Sequence, residues 1–133
     1  MVAQAGTSVM SKKIALVGHC GPDSSYLRIA VARAIKDAKV IAADDDTELR
    51  RVIEDGADLL LLNRVLDYGF ADHDGVGVIR KLREKHPQLK MMLVSNYAEA
   101  QAEAVEAGAL PGFGKRELGT PRVNELLRDA VKD

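Results

Sequence analysis

This chain of 133 residues has one cysteine, no tryptophan and only 4% aromatic residues. A single cysteine excludes an internal disulfide framework. No stretch approaches the roughly 20 consecutive apolar residues of a membrane-spanning helix. The first dozen residues, MVAQAGTSVMSK, have neither a basic start nor a continuous apolar segment, which predicts a flexible tail rather than a secretion signal. An excess of charge is missing as well: 19 Lys and Arg stand against 20 Asp and Glu, a formal net charge of −1. Electrostatics therefore recommend neither a nucleic acid nor an anionic membrane as partner. The phosphate-cradling patterns GxxxxGK[ST] and GxGxxG do not occur.

What is present is a globular composition, 47% hydrophobic with 29% charged residues. The length suits one domain with a real core and leaves no room for a second. The expected division is a tail over residues 1–12 and one folded unit over 13–133, in a cytoplasmic protein. Acidic and basic residues alternate around Arg50-Arg51 and Arg80 to Lys85, as on solvated helix faces.

Hydrophobic periodicity gives five strand-helix pairs. Lys13 to Val17 reads as a strand ending at Gly18, followed by a helix with Leu27, Ala30, Val31, Ala34 and Ile35 inward. Val40 to Ala42 is the second strand; Asp44-Asp45-Asp46-Thr47 then offers N-cap oxygens to a helix that Gly56 stops. Leu59 to Leu62 is the third strand, followed by a long polar loop, then a helix from Gly75 that Pro87 closes. Met91 to Val94 and a weak strand over Pro111 to Gly114 flank an alanine-rich helix from Tyr97 to Ala107. Thr120 and Pro121 open the last helix. Such alternation predicts a doubly wound parallel sheet with helices on both faces, because each parallel connection needs a right-handed crossover.

Ligands of such sheets bind outside the carboxyl ends of the strands. Gly18, His19 and Cys20 stand there after the first strand, Asp44 to Asp46 after the second, and Asn63, Ser95 and Lys115 after the third, fourth and fifth. From Lys12 onward the sequence resembles the receiver domain of bacterial response regulators. The resemblance implies a CheY-like, flavodoxin-like α/β fold with strand order 2-1-3-4-5. It also implies an acidic pair holding magnesium after the first strand, a phosphate-accepting aspartate after the third, a Ser or Thr after the fourth and a lysine after the fifth. Ser95 and Lys115 match. Gly18, His19 and Cys20 replace the acids, Asn63 replaces the aspartate, Arg116 stands where a proline is usual and Gly112 takes the aromatic switch position.

Two carboxylate ligands for a hard cation are thus missing, and Asn63 has no charge with which to attack a phosphoryl donor. The expectation is a non-phosphorylatable pseudo-receiver that binds another protein in a signalling or regulatory assembly, without enzymatic activity, cofactor or metal. Asn63 is read as structural, with Lys115 bonded to it, to a backbone carbonyl or to one of Asp44 to Asp46. The face of the fourth helix, fifth strand and fifth helix, which receivers generally use, is the expected partner surface and a possible homodimer contact. Tyr97, Gln101, Phe113 and Arg122 are its candidate residues, although alternation along the strand also suits Phe113 to the core.

Two alternatives stand beside this reading. The crevice at Cys20, Gly21, Asp23, Ser24 and Lys115 could bind a small anion, since amides at a helix start and a lysine both favour negative charge. The plainer view of GHCGPDSS is a tight turn capped by Asp23 or Ser24. Asp67 could instead be a displaced phosphoacceptor, but that would run the third strand through Arg64, and a longer loop is preferred. Asp67, Asp72 and Asp74 then become loop acids and caps. His19 and Cys20 are adjacent donors, which alone do not make a metal site.

Overall fold

Leu59 to Leu62, four leucines in succession, are all fully buried, which requires a strand covered on both faces. The computed structural model describes residues 11–132, so most of the tail expected over 1–12, together with Asp133, lies outside the described residues. Lys12 already belongs to the sheet margin, its carbonyl accepting from the Lys39 amide at 2.8 Å.

The strands are β1 Lys13–Val17, β2 Lys39–Ala43, β3 Leu59–Asn63, β4 Met91–Val94 and β5 Leu110–Phe113. They form one five-stranded sheet in the order β2-β1-β3-β4-β5, with every pairing parallel. The helices are α1 Gly21–Ala34, α2 Asp46–Glu54, α3 Gly75–Lys85, α4 Ala98–Glu106 and α5 Pro121–Ala130. Side chains alternate across the central strands and so feed two cores. Ile14, Leu16, Leu59 and Leu61 pack with α1 and α5 on one face. Ala15, Val17, Leu60 and Leu62 pack with α2, α3 and α4 on the other.

Local chemistry sets the helix starts. Asp45 caps α2 by accepting from the Glu48 amide at 2.7 Å, while the Glu48 carboxylate accepts from the Asp44 amide at 2.7 Å. Asp74 caps α3 through the Val76 amide, and Thr120 caps α5. The first helix differs from expectation: it starts at Gly21 with Cys20 as its N-cap and no side-chain cap. Asp23 and Ser24 therefore lie within the first turn, which leaves Asp23 free to reach another element.

At the edge strand β5 the register slips by one residue between the Met92–Leu110 and Val94–Phe113 pairs. Pro111 and Gly112 take up this irregularity, as expected of residues that cannot extend a regular ladder. A β-carbon on Gly112 would run into the Leu93 carbonyl. The slip turns Phe113 into the α1/α5 core, where it is 1% exposed.

Candidate functional site: a filled strand-end crevice

Asn63 closes β3, and its side-chain amide donates to two backbone carbonyls, Gly18 at 3.2 Å and Val65 at 3.0 Å. An aspartate could not make either bond and would set a carboxylate against two carbonyl dipoles. The amide thus ties the end of β1 to the start of the β3–α3 loop.

That loop is longer than the sequence spacing of its glycine suggests, and it is ordered by its own bonds. Val65 and Asp74 form an antiparallel bridge, Leu66 N donates to the His73 carbonyl at 2.9 Å and Gly75 N donates to the Arg64 carbonyl at 2.7 Å. Asp46 secures the far side: its carboxylate accepts from Ala71 N at 2.9 Å and its amide donates to the Gly69 carbonyl at 2.9 Å. Two apolar loop residues, Leu66 and Phe70, are consequently buried against β1. Gly18 has φ +72°, and a β-carbon there would overlap a methyl of Leu66. Asp67 is exposed on the same loop; β3 ends at Asn63, as the longer-loop reading expected.

His19 does not face the crevice. It is buried, and its Nε2–H donates to the Leu61 carbonyl at 2.8 Å, while Nδ1 has no partner among the described residues. Burial is the main cause that pushes its pKa from 6.5 down to about 4, so the ring is neutral at physiological pH.

Lys115 takes none of the partners expected from the sequence. Its ammonium lies 2.6 Å from Oδ2 of Asp23 on α1, a pair in which each side chain is about a third exposed. The Lys115 hydrogen bond is the largest influence holding the Asp23 carboxyl below its usual range. Of the amides at the start of α1, that of Ser24 donates to the Cys20 carbonyl at 2.8 Å. The expected anion crevice of Cys20, Gly21, Asp23, Ser24 and Lys115 is therefore already neutralised by Asp23. Asp44, whose carboxyl is shifted upward by burial and by Glu48 and Asp45, stands apart from Lys115.

A smaller crevice of about 180 Å³ remains between Asn63, Ser95, Asn96 and Lys115. Ser95 is buried and its hydroxyl accepts from Tyr97 N at 3.1 Å. Arg64, which the sequence reading did not single out, covers this crevice by stacking over the Tyr97 ring at 5.1 Å from its centroid. Among the described residues Arg64 has no carboxylate partner. Its position next to Asn63 was the available signal.

A divalent cation at the receiver position does not fit these residues. Gly18 offers no side chain, Leu66 covers it, His19 is turned into the core and Asn63 presents a donor. Among the described residues no three His, Cys, Asp or Glu side chains are arranged to hold a metal ion.

The candidate partner face is only partly as expected. Tyr97 is 64% exposed and Val105, which was not singled out, is 45% exposed. Phe113 is core and leaves the face. Gln101 turns inward, its amide donating to the carbonyls of Leu93, Ser95 and Phe113 at 2.9, 3.1 and 3.2 Å. It holds α4 to β4 and β5. Arg122 pairs with Glu117 and donates to the Gly112 carbonyl. Between α4 and β5 these residues leave an open groove of about 610 Å³.

The sheet order, the two helical layers and the arrangement of Asn63, Ser95 and Lys115 at the carboxyl edge define a receiver-type α/β domain. The fold is the CheY-like fold of response-regulator receiver domains, as solved structures bear out. The signal receiver domain of a DNA-binding response regulator from Colwellia psychrerythraea 34H superposes with TM-score 0.72 at 14% identity, covering 92% of this chain and 100% of that one. The beryllofluoride-activated NtrC4 receiver domain dimer gives TM-score 0.73 at 16% identity, covering 90% and 95%. The receiver domain of NtrX from Brucella abortus gives TM-score 0.67 at 24% identity, covering 89% and 97%. No protein-family model and no curated protein sequence matches this chain. Among the described residues no helix is long and apolar enough to cross a membrane.

Proposed function

We propose that this chain is a non-phosphorylatable pseudo-receiver, a protein-binding module of a cytoplasmic signalling or regulatory assembly rather than an enzyme. One observation carries the reading: the Asn63 amide donates to the Gly18 and Val65 carbonyls, at the place where phosphotransfer needs a free carboxylate. The packing of Leu66 on Gly18 supports it, because it fills space that a metal and its ligands would need. Output then depends on surface shape that phosphorylation does not switch. The face of α4, β5 and α5 suits that role, with exposed Tyr97 and Val105 beside a groove rimmed by Arg122. A receiver neighbour with this fold is described as a dimer, and the same face here is a candidate for self-association or for another protein.

Incubation with acetyl phosphate and magnesium, followed by intact-mass spectrometry at neutral pH, tests the reading. No adduct is expected. A stoichiometric phosphoryl adduct, on Asp67 or any other acid, would overturn it.

A second reading has its own observation. Arg64 lacks a carboxylate partner and covers the crevice of Asn63, Ser95 and Lys115, an arrangement that suits a small anion. Ligand that binds only the native state raises the melting temperature. Sulfate or phosphate should then raise Tm in the parent chain and fail to do so in Arg64→Ala.

A further inference from the structure

We propose that β2 pairs edge to edge with β2 of a second copy of this chain, antiparallel about a two-fold axis at Ile41. β2 is an outer strand of the sheet, and no described strand pairs with its far side. Two bonds to β1 fix which way its backbone groups point: Lys39 N donates to the Lys12 carbonyl, and the Ala43 carbonyl accepts from Gly18 N. Successive residues of a strand turn these groups to opposite sides, so Lys39, Ile41 and Ala43 direct theirs at β1 while Val40 and Ala42 direct theirs outward. The Val40 carbonyl accepts from the Arg28 guanidinium at 3.2 Å and keeps a second lone pair. Edges of this kind are ordinarily protected by charge, proline or a bulge. Here Ile41 stands 40% exposed in the middle of the strand. The opposite edge is different, because Pro111 and the register slip spoil β5 as a template.

The charges around β2 identify the strand that would join it. Cations stand at its start, Lys39 and the Arg28 guanidinium at Val40; acids stand just past its end, Asp44 and Asp45. Among the described residues neither Arg28 nor Asp44 forms an ion pair. A parallel copy in register would set like charges side by side. An antiparallel copy sets opposite charges together. With Ile41 on the axis, each Val40 lies opposite Ala42 of the other copy, and each such pair exchanges two backbone hydrogen bonds. Lys39 then lies diagonal to Asp45 of the second copy, and Arg28, held at Val40, lies diagonal to Asp44 of the second copy. Long side chains span such diagonals of about 7–8 Å. The two Ile41 side chains meet at the axis and leave water together. β2 is at the far end of the sheet from β5, so this pairing leaves the face of α4, β5 and α5 open to a different protein.

Light scattering over a concentration series should show the full chain as a dimer. Ile41 would form a non-hydrogen-bonded pair across the axis, with Cα atoms about 4.5 Å apart, a separation that a disulfide accepts. The chain with Cys20→Ser and Ile41→Cys should therefore crosslink to a covalent dimer under mild oxidation. Tyr97→Cys in the same Cys20→Ser background marks the α4 face and should stay uncrosslinked. Arg28→Glu and Asp44→Arg, both at exposed positions, should each raise the dimer dissociation constant at least about tenfold, since each is lost twice in a two-fold dimer. Combined in one chain they should restore association, and circular dichroism checks that each variant is folded. A monomer at every concentration, a crosslink at position 97 without one at position 41, or a double variant no better than its parents overturns the proposal.

Discussion

The Asn63 side-chain amide and the Gly18 carbonyl, at the ends of β3 and β1, are joined by a hydrogen bond of 3.2 Å. The bond runs in the direction that only an amide allows. Asn63→Asp removes this bond and the one to Val65, and places a charge against both carbonyls. Loss of stability by about 1–3 kcal/mol is expected, from the cost of stranding polar groups at a partly buried site. Urea unfolding measures it, and the same variant with acetyl phosphate and magnesium should remain unmodified by mass.

Gly18→Asp is expected to fail as a restoration of the metal site. The backbone there is at φ +72°, and the new β-carbon would overlap Leu66. A left-handed conformation alone costs about 1–2 kcal/mol for a non-glycine residue, and overpacking adds about 1–3 kcal/mol. The variant should unfold at distinctly lower urea and show no magnesium-dependent change in Tm. A stable variant that binds magnesium would show that Leu66 yields easily and that the loop is not a fixed plug.

His19 should make stability fall with acid. Its pKa is about 4 in the folded chain and 6.5 when unconstrained, so the unfolded state binds the proton first. Its contribution is complete above about pH 6.5, declines as pH drops and levels off below about pH 4. A shift of this size corresponds to about 3 kcal/mol across the window. Denaturation midpoints measured at intervals from pH 7 to pH 4 test this, with His19→Gln expected to flatten the upper part of the slope, where carboxylates contribute least.

Lys115→Ala should change stability by no more than about 1 kcal/mol, because its pair with Asp23 is partly open to solvent and screened. Unfolding curves at low and high salt check it. A larger loss that persists at high salt would mean that Lys115 holds the fold through more than its charge.

The two aromatic candidates for the partner face should behave oppositely. Phe113→Ala empties a core position and is expected to cost about 3–5 kcal/mol. Tyr97→Ala, at an exposed ring, should leave the urea midpoint almost unchanged and weaken any association of the α4, β5 and α5 face, including dimerisation seen by light scattering. Binding that survives Tyr97→Ala and Arg122→Ala together would move the partner surface elsewhere.

Period and punctuation were enough to read the succession of strands and helices from the sequence, while the strand order 2-1-3-4-5 came from the resemblance to receiver domains. Four buried leucines, the Met91 to Val94 run and the caps at Asp45, Asp74 and Thr120 are local signals, and alternation of strand and helix leaves few parallel arrangements. The strand-end positions of Asn63, Ser95 and Lys115 followed from that order. Side-chain partners were another matter, since they join residues far apart in the chain. Lys115 meets Asp23 across 92 positions and Asn63 meets Gly18 across 45. Neither pairing has a spacing to betray it. The sequence left Phe113 open between the core and the partner face, and the burial of Leu66 and Phe70 depends on loop bonds to Asp46 and His73. Hydrophobic pattern specifies which faces are buried within an element; only closure of the sheet and loops decides which polar group finds which partner.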